Sequence, residues 1–117
     1  MRKFFILISL IVLLFAGCDV FDTKMTVKYE VTGLIMPDSA YITMRNSNGY
    51  MVALGNINLP WSIQFDVYSG FFAEISATNN GIGILMVKIY VDGREFRSNT
   101  SLGILSNNTA TAFGIVR

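Results

Sequence analysis

Between Lys24 and Thr32 the sequence alternates apolar and polar residues without exception, and this period of two strongly constrains the fold. The apolar members are Met25, Val27, Tyr29 and Val31. A strand with one face on a core and the other in solvent has this pattern, because successive side chains point to opposite sides. A second alternation places Trp61, Ile63, Phe65 and Val67 opposite Ser62, Gln64, Asp66 and Tyr68. Both segments are therefore predicted to be strands.

Six further segments have apolar or alternating patterns and are also predicted to be strands: Ser39–Arg45, Tyr50–Leu54, Phe71–Ala77, Ile82–Val91, Arg94–Thr100 and Thr109–Val116. Residues 33–38 and 55–60 contain Gly and Pro and are predicted to be irregular connections. Asp92-Gly93 lies between two strand-like segments and predicts a two-residue type I′ hairpin. Ile82–Val91 is apolar at most positions, which predicts a central strand buried on both faces or a protein contact.

No sustained helical period follows Cys18, and turn residues recur at roughly 8–12-residue spacing, which is typical of all-β domains. We therefore predict a single immunoglobulin-like β-sandwich of about seven or eight antiparallel strands over residues 24–117. A small β-barrel is the alternative architecture.

The first eighteen residues have the order of a bacterial lipoprotein signal peptide. Arg2 and Lys3 are basic, the following residues are apolar, and Ala16 and Gly17 precede Cys18, the only cysteine. The apolar segment of about 14 residues is shorter than the roughly 20 that cross a bilayer, which favours a cleaved leader. We predict a signal peptide over residues 1–17, lipid on the Cys18 sulfur, and a tether over residues 18–23.

This leader places the protein in the bacterial cell envelope, anchored to the membrane by lipidated Cys18 on the extracytoplasmic, periplasmic side. Phe15 departs from the leucine usual at its position in such signals. The alternative is an uncleaved leader that stays as a membrane anchor.

Charge and composition exclude several classes of function. Without Arg2 and Lys3, seven Lys and Arg remain against eight Asp and Glu, so no basic field attracts nucleic acid. With no histidine and one cysteine, neither a histidine-based triad nor a usual zinc site is expected. We predict a non-enzymatic protein with no cofactor and no metal. A hydrolase with paired carboxylates is the remaining enzymatic alternative. Its candidates are Asp38, Asp66, Glu74, Asp92 and Glu95, for which surface roles are predicted.

Aromatic residues supply the candidate binding surface. Phe71 and Phe72 are neighbours on a predicted strand, so only one of them points into the core. The other, with Tyr68 or Tyr41, predicts an exposed apolar patch. The predicted partner or ligand surface comprises Trp61, Tyr68, Phe71 and Phe72, and core packing is the alternative for each of them.

Three segments together resemble the extracytoplasmic domain of the MmpS family, the accessory proteins of MmpL-type exporters. They are Val27–Gly33 (VKYEVTG), Leu59–Ser62 (LPWS) and Ile89–Arg94 (IYVDGR). The resemblance implies a β-sandwich held at the membrane that assists a transporter in exporting lipids or siderophores, with no catalytic residues. Two departures are the lipid site in place of a membrane helix and the lack of a cysteine pair near the C-terminus.

These observations predict a membrane-tethered, non-enzymatic envelope lipoprotein that acts as a binding or accessory module for an envelope transporter protein. The alternative is a protein that binds an apolar small molecule or lipid in the envelope.

Overall fold

The computed structural model of the protein describes residues 23–103 and 108–117. These residues fold into eight β-strands. They are β1 (Lys24–Leu34), β2 (Ser39–Arg45), β3 (Met51–Asn58), β4 (Trp61–Tyr68), β5 (Phe72–Asn79), β6 (Gly83–Val91), β7 (Arg94–Gly103) and β8 (Asn108–Ile115). The predicted signal peptide, Cys18 and residues 19–22 of the predicted tether lie outside the described residues.

The strands form two four-stranded antiparallel sheets. The first has the order β4-β1-β6-β7 and the second the order β3-β2-β5-β8. The all-β sandwich of seven or eight strands is confirmed, and the two sheets remain separate rather than closing into a barrel. β7 and β8 approach each other at one side, where the Asn99 side-chain amide donates to the Thr111 carbonyl at 2.9 Å.

The core lies between the sheets and consists of the alternate residues of each strand. Its fully buried members include Val27, Tyr29, Val31, Ile42, Ile75, Ala77, Leu85, Val87, Ile89 and Ala110. β6 occupies an interior position in the first sheet, as predicted from its apolar sequence. Its inner face is buried and its outer face is half-buried, so the additional apolar residues point to the outside of the sheet.

The largest departure from the sequence prediction is in β3. The prediction of an irregular connection over residues 55–60 is wrong for its first part, because β3 continues to Asn58. The register against β2 shifts between Ile42 and Thr43, and Gly55 has a φ of 83°. This bulge places one extra residue in β3 and lets pairing resume beyond it. Gly55 therefore marks a bulge within β3 and not the start of a loop.

The predicted hairpin at Asp92-Gly93 is confirmed. Asp92 has a φ of 51° and Gly93 a φ of 81°, as a type I′ turn requires at its two central residues. The Asp92 carboxylate also accepts a hydrogen bond from the Thr26 amide at 2.9 Å, which fastens the turn to β1.

The strand directions define two ends of the sandwich. β1 begins at Lys24 and ends at Leu34, so the chain enters at one end and reaches the other about 34 Å away, at roughly 3.4 Å per residue. The end at which β1 begins, called the tether end, also holds the β4–β5 turn, where the Ser69 amide donates to the Thr23 carbonyl. The opposite end, called the cap end, holds the β1–β2 and β5–β6 loops.

Candidate functional site

Exposed apolar side chains cluster at the cap end. Ile35 is 95% exposed, Ile82 67% and Leu102 65%, and Leu34 and Met36 are also exposed. We call these five residues the apolar cap. Leu34, Ile84 and Leu102 form a row across β1, β6 and β7. Ile35 and Met36 follow Leu34 in the chain, and Ile82 lies two residues before Ile84 and lines the same groove as Met36. Contiguous exposed apolar surface of this kind is typical of a binding site, whereas scattered apolar residues are ordinary.

The backbone at the tip of the cap is strained. Ile35 has a φ of 70°, and the Met36 amide donates to the Leu34 carbonyl at 2.8 Å, which closes a three-residue γ-turn. A β-branched residue at positive φ is an outlier, and such a conformation costs about 1–3 kcal/mol. Glycine or asparagine would adopt it with less strain. The position therefore holds an exposed, branched apolar side chain in spite of the cost, which points to a role for that side chain.

The loop is held tightly against the sheet beneath it. The Met36 carbonyl accepts a hydrogen bond from the Ile84 amide at 2.9 Å. A Cβ atom on Gly33 would collide with the Pro37 carbonyl, and one on Gly83 would collide with the Met36 carbonyl. These two glycines let the loop backbone lie directly on β1 and β6, so the cap is fixed before any partner binds.

Asn108 forms part of the base below the loop. It is buried, and its side-chain amide donates to the Gly83 carbonyl at 3.0 Å. A Cβ atom on Gly103 would collide with the Asn108 side chain and the Gly81 carbonyl. Backbone segments of β6, β7 and the β5–β6 loop are thereby packed around one amide. The Asn108 side-chain oxygen has no hydrogen-bond partner within the part of the chain that the structure describes.

A surface groove lies beside the apolar cap. It has a volume of about 570 Å³, and its lining combines apolar and polar residues. The residues are Met36, Pro37, Asp38, Ser39, Asn79, Gly81 and Ile82. Its volume falls within the range of small-molecule sites, although it is an open groove and does not enter the core.

The aromatic residues predicted as a partner surface have two different environments. Trp61 and Phe71 are half-buried and pack against the core. Phe72 is exposed on the outer face of the second sheet, where its ring lies 6.1 Å from that of Phe113. Tyr68 is 61% exposed on the first sheet, next to Val67 in β4, which points into the core. Phe71 and Phe72 do point to opposite sides, as predicted, and a partner role for these residues stays a prediction.

A tyrosine hydroxyl links the two sheets inside the sandwich. The Tyr29 hydroxyl of β1 donates to the Arg45 carbonyl at 2.8 Å and accepts from the Glu74 amide at 3.2 Å. Burial raises the pKa of Tyr29 to about 12, because the phenolate would lose its hydration. Arg45 and Glu74 form an ion pair at 3.1 Å on the adjacent surface. This group of residues stabilises the fold and has no access to a ligand through Tyr29.

The described carboxylates are used mainly in ion pairs. Asp66, Glu30 and Glu95 lie 3.6, 3.6 and 3.3 Å from Lys24, Lys28 and Lys88, respectively. The hydrogen bond that the Lys88 ammonium donates to the Glu95 carboxylate raises the pKa of Lys88. Glu30 and Asp92 line one shallow groove on the outer face of the first sheet, together with the Lys28 ammonium. Across residues 23–103 and 108–117, no group of three or more His, Cys, Asp or Glu is arranged to hold a metal ion.

The apolar cap could hardly be predicted from local sequence. Its one local signal is the run Leu34-Ile35-Met36 inside a segment predicted as a loop, where polar residues are usual. Ile82 and Leu102 are brought beside that run only by the pairing of β1, β6 and β7, which composition and periodicity do not specify.

The described residues include no helix of the length and apolarity needed to span a bilayer. A scan of the chain against protein-family models and a search of curated proteins found no significant match.

Proposed function

We propose that this protein is a lipid-anchored, non-enzymatic binding module of the bacterial envelope, and that its apolar cap docks on an envelope transporter protein. The observation that supports the proposal is an exposed apolar surface, fixed on a strained loop, at the end of the domain farthest from the predicted lipid site.

The predicted tether and the fold together orient the cap. Cys18 precedes Lys24 by six residues, a segment that spans at most about 20 Å when extended. β1 then adds roughly 34 Å between its first and last residues. A domain that stands on this tether presents Ile35 away from the anchoring leaflet, where the extracytoplasmic part of a membrane protein is within reach.

The chemistry of the cap favours a protein partner over the lipid surface. None of its five residues is basic, so it lacks the electrostatic attraction that surface-binding segments have for anionic lipids. Rigid apolar side chains that lose water on contact are characteristic of the centres of protein interfaces. A transporter as the partner follows from the resemblance to the MmpS family in the three segments named above.

Affinity purification from native membranes tests this proposal. The tagged full-length protein is extracted gently and compared with an Ile35→Asn/Leu102→Asn variant and with Tyr50→Asn, a control exposed in the β2–β3 turn. We expect a transporter of the resistance-nodulation-division type to be recovered with the wild type and the control, and lost with the double variant. Recovery of no envelope protein, with no export defect on deletion, would contradict the proposal.

A second candidate function is the binding of an apolar small molecule or lipid. The groove beside Met36 and Ile82 favours it, since its volume of about 570 Å³ suits such a ligand. The space between the sheets does not favour it, because core residues of both sheets have no exposed surface. Native mass spectrometry of the domain from Asp22 onward tests this candidate. A bound lipid that is lost with Met36→Asn supports it, and an empty domain argues against it.

A further inference from the structure

The outer face of the second sheet carries a row of polar side chains around one exposed tyrosine. Asn56, Tyr41, Thr78 and Thr109 are successive partners across β3, β2, β5 and β8. Neighbouring strands are about 4.8 Å apart, so these side chains are in lateral contact range. Tyr41 is 45% exposed and is the one aromatic residue of this row. Amide and hydroxyl groups therefore flank an accessible aromatic ring.

A groove of about 600 Å³ opens between this row and the β5–β6 loop. Its lining residues are Tyr41, Asn56, Thr78, Asn79 and Asn80, and we call it the Tyr41 groove. None of the five carries a charge. The groove meets the one beside the apolar cap at Asn79, which lines both.

Two of the residues that line the groove, Thr78 and Asn79, have their polar groups held by hydrogen bonds to the sheet. The Asn79 side-chain amide donates to the Ser39 carbonyl at 2.8 Å, and the Thr78 and Thr109 hydroxyls are 3.0 Å apart. The Asn56 and Asn80 side chains are exposed and keep both amide donors and carbonyl acceptors for a ligand. The site thus combines a fixed base with polar groups at its rim.

This chemistry selects for one class of ligand. A purely apolar ligand would remove water from three asparagine side chains without replacing their hydrogen bonds, which is unfavourable. An anion would find no Lys or Arg among the lining residues, although such residues make the strong contacts to carboxylates and phosphates. A sugar hydroxyl both donates and accepts, as asparagine does, and the C–H face of a pyranose ring packs on an aromatic ring.

We propose that the Tyr41 groove binds a neutral saccharide, with Tyr41 stacked on one pyranose ring and Asn56 and Asn80 bonded to its hydroxyls. The proposal does not depend on the docking role of the apolar cap. The saccharide has two sources in an envelope, a glycan strand or the headgroup of a glycolipid, and both present the same chemistry to the groove.

Calorimetric titration of the full, lipid-anchored protein in phosphatidylcholine nanodiscs tests this site. For the glycan source, the probes are maltotriose and the β-1,4-linked trimer of N-acetylglucosamine. For the lipid source, a neutral diglucosyl diacylglycerol is incorporated into the same nanodiscs, and its binding is followed by NMR of the Asn side-chain amides. Saturable binding of a soluble trimer indicates that the ligand is a glycan strand. Chemical-shift changes of the Asn amides with the glycolipid alone indicate that the ligand is a lipid headgroup.

Matched variants connect any binding to the groove. Tyr41→Ala should weaken binding about tenfold or more, Tyr41→Phe should retain it, and Tyr50→Ala in the β2–β3 turn, where the tyrosine is also exposed, should leave it unchanged. Asn80→Ala, in an exposed loop, gives a second loss-of-binding variant that does not depend on the folding of Tyr41→Ala. The proposal is overturned when neither source binds at about 10 mM saccharide, or when binding is the same in Tyr41→Ala and Asn80→Ala as in the wild type.

Discussion

Replacing Ile35 by asparagine should make the protein more stable while weakening its binding. Ile35 is 95% exposed, so the substitution removes almost no buried apolar surface. Its φ of 70° places a β-branched residue in a region that disfavours it by about 1–2 kcal/mol, and asparagine tolerates that region. We therefore expect the free energy of unfolding to rise by about 1 kcal/mol, which corresponds to about 4–8 °C in the melting temperature of a domain this size.

Urea denaturation of the domain from Asp22 onward, with thermal unfolding as a second measurement, checks this value. The free energy of unfolding should rise less with Ile35→Gly than with Ile35→Asn. Glycine increases the conformational entropy of the unfolded chain, which costs about 0.4–1 kcal/mol and opposes the relief of strain. Ile82→Asn is the matched control, since Ile82 is also exposed in the cap but has no positive φ, and we expect a change within about 0.5 kcal/mol. An Ile35→Asn midpoint equal to or below that of the wild type would refute the reasoning from strain.

Three further predictions concern the base of the cap, the core and the anchor. Gly33→Ala should destabilise the domain by about 1–3 kcal/mol, because the new Cβ collides with the Pro37 carbonyl; an unchanged urea midpoint would contradict this packing. The pKa of Tyr29 is raised from 10.0 to about 12, so the neutral phenol favours the folded state, and the stability is intact below pH 10. We expect the free energy of unfolding, measured by urea titration at each pH, to fall by about 3 kcal/mol between pH 10 and pH 12. Tyr29→Phe should remove this pH dependence. Cys18→Ser should leave the domain folded and release or mislocalise the protein, as judged by fractionation and immunoblotting; unchanged membrane attachment would show that the apolar leader is the anchor.

Most of the strands could be predicted because their sequences alternate. Trp61–Tyr68 and Ser39–Arg45 were predicted with the bounds that the structure shows, since one face of each strand is apolar and Pro or Asn lies close to its ends. The continuation of β3 beyond Gly55 could not be predicted, because a glycine at positive φ has the same local sequence signal in a bulge as in a loop. Residues 55–58 form a strand and not a loop because they pair with β2.

The candidate site was less predictable than the fold. The exposure of one of Phe71 and Phe72 was predicted, because adjacent side chains on a strand point to opposite faces. The sequence pattern did not indicate that Phe72 would be the exposed one. The apolar cap depends on which strands are neighbours, since Leu102 reaches Leu34 only across Ile84 of β6. The strain at Ile35 depends on the loop being pressed onto Gly33 and Gly83, and that close approach is visible only in three dimensions.

Site-specific photo-crosslinking in native membranes tests the docking role of the apolar cap most directly. A photoreactive amino acid is placed at Ile35 in the cap or at Tyr50 in the β2–β3 turn, and the adducts are identified by mass spectrometry. We predict a discrete adduct from position 35 to a transporter of the envelope, and no such adduct from position 50. Equal adduct formation from both positions, or adducts from position 35 to lipid alone, would contradict the claim that the cap binds an envelope transporter.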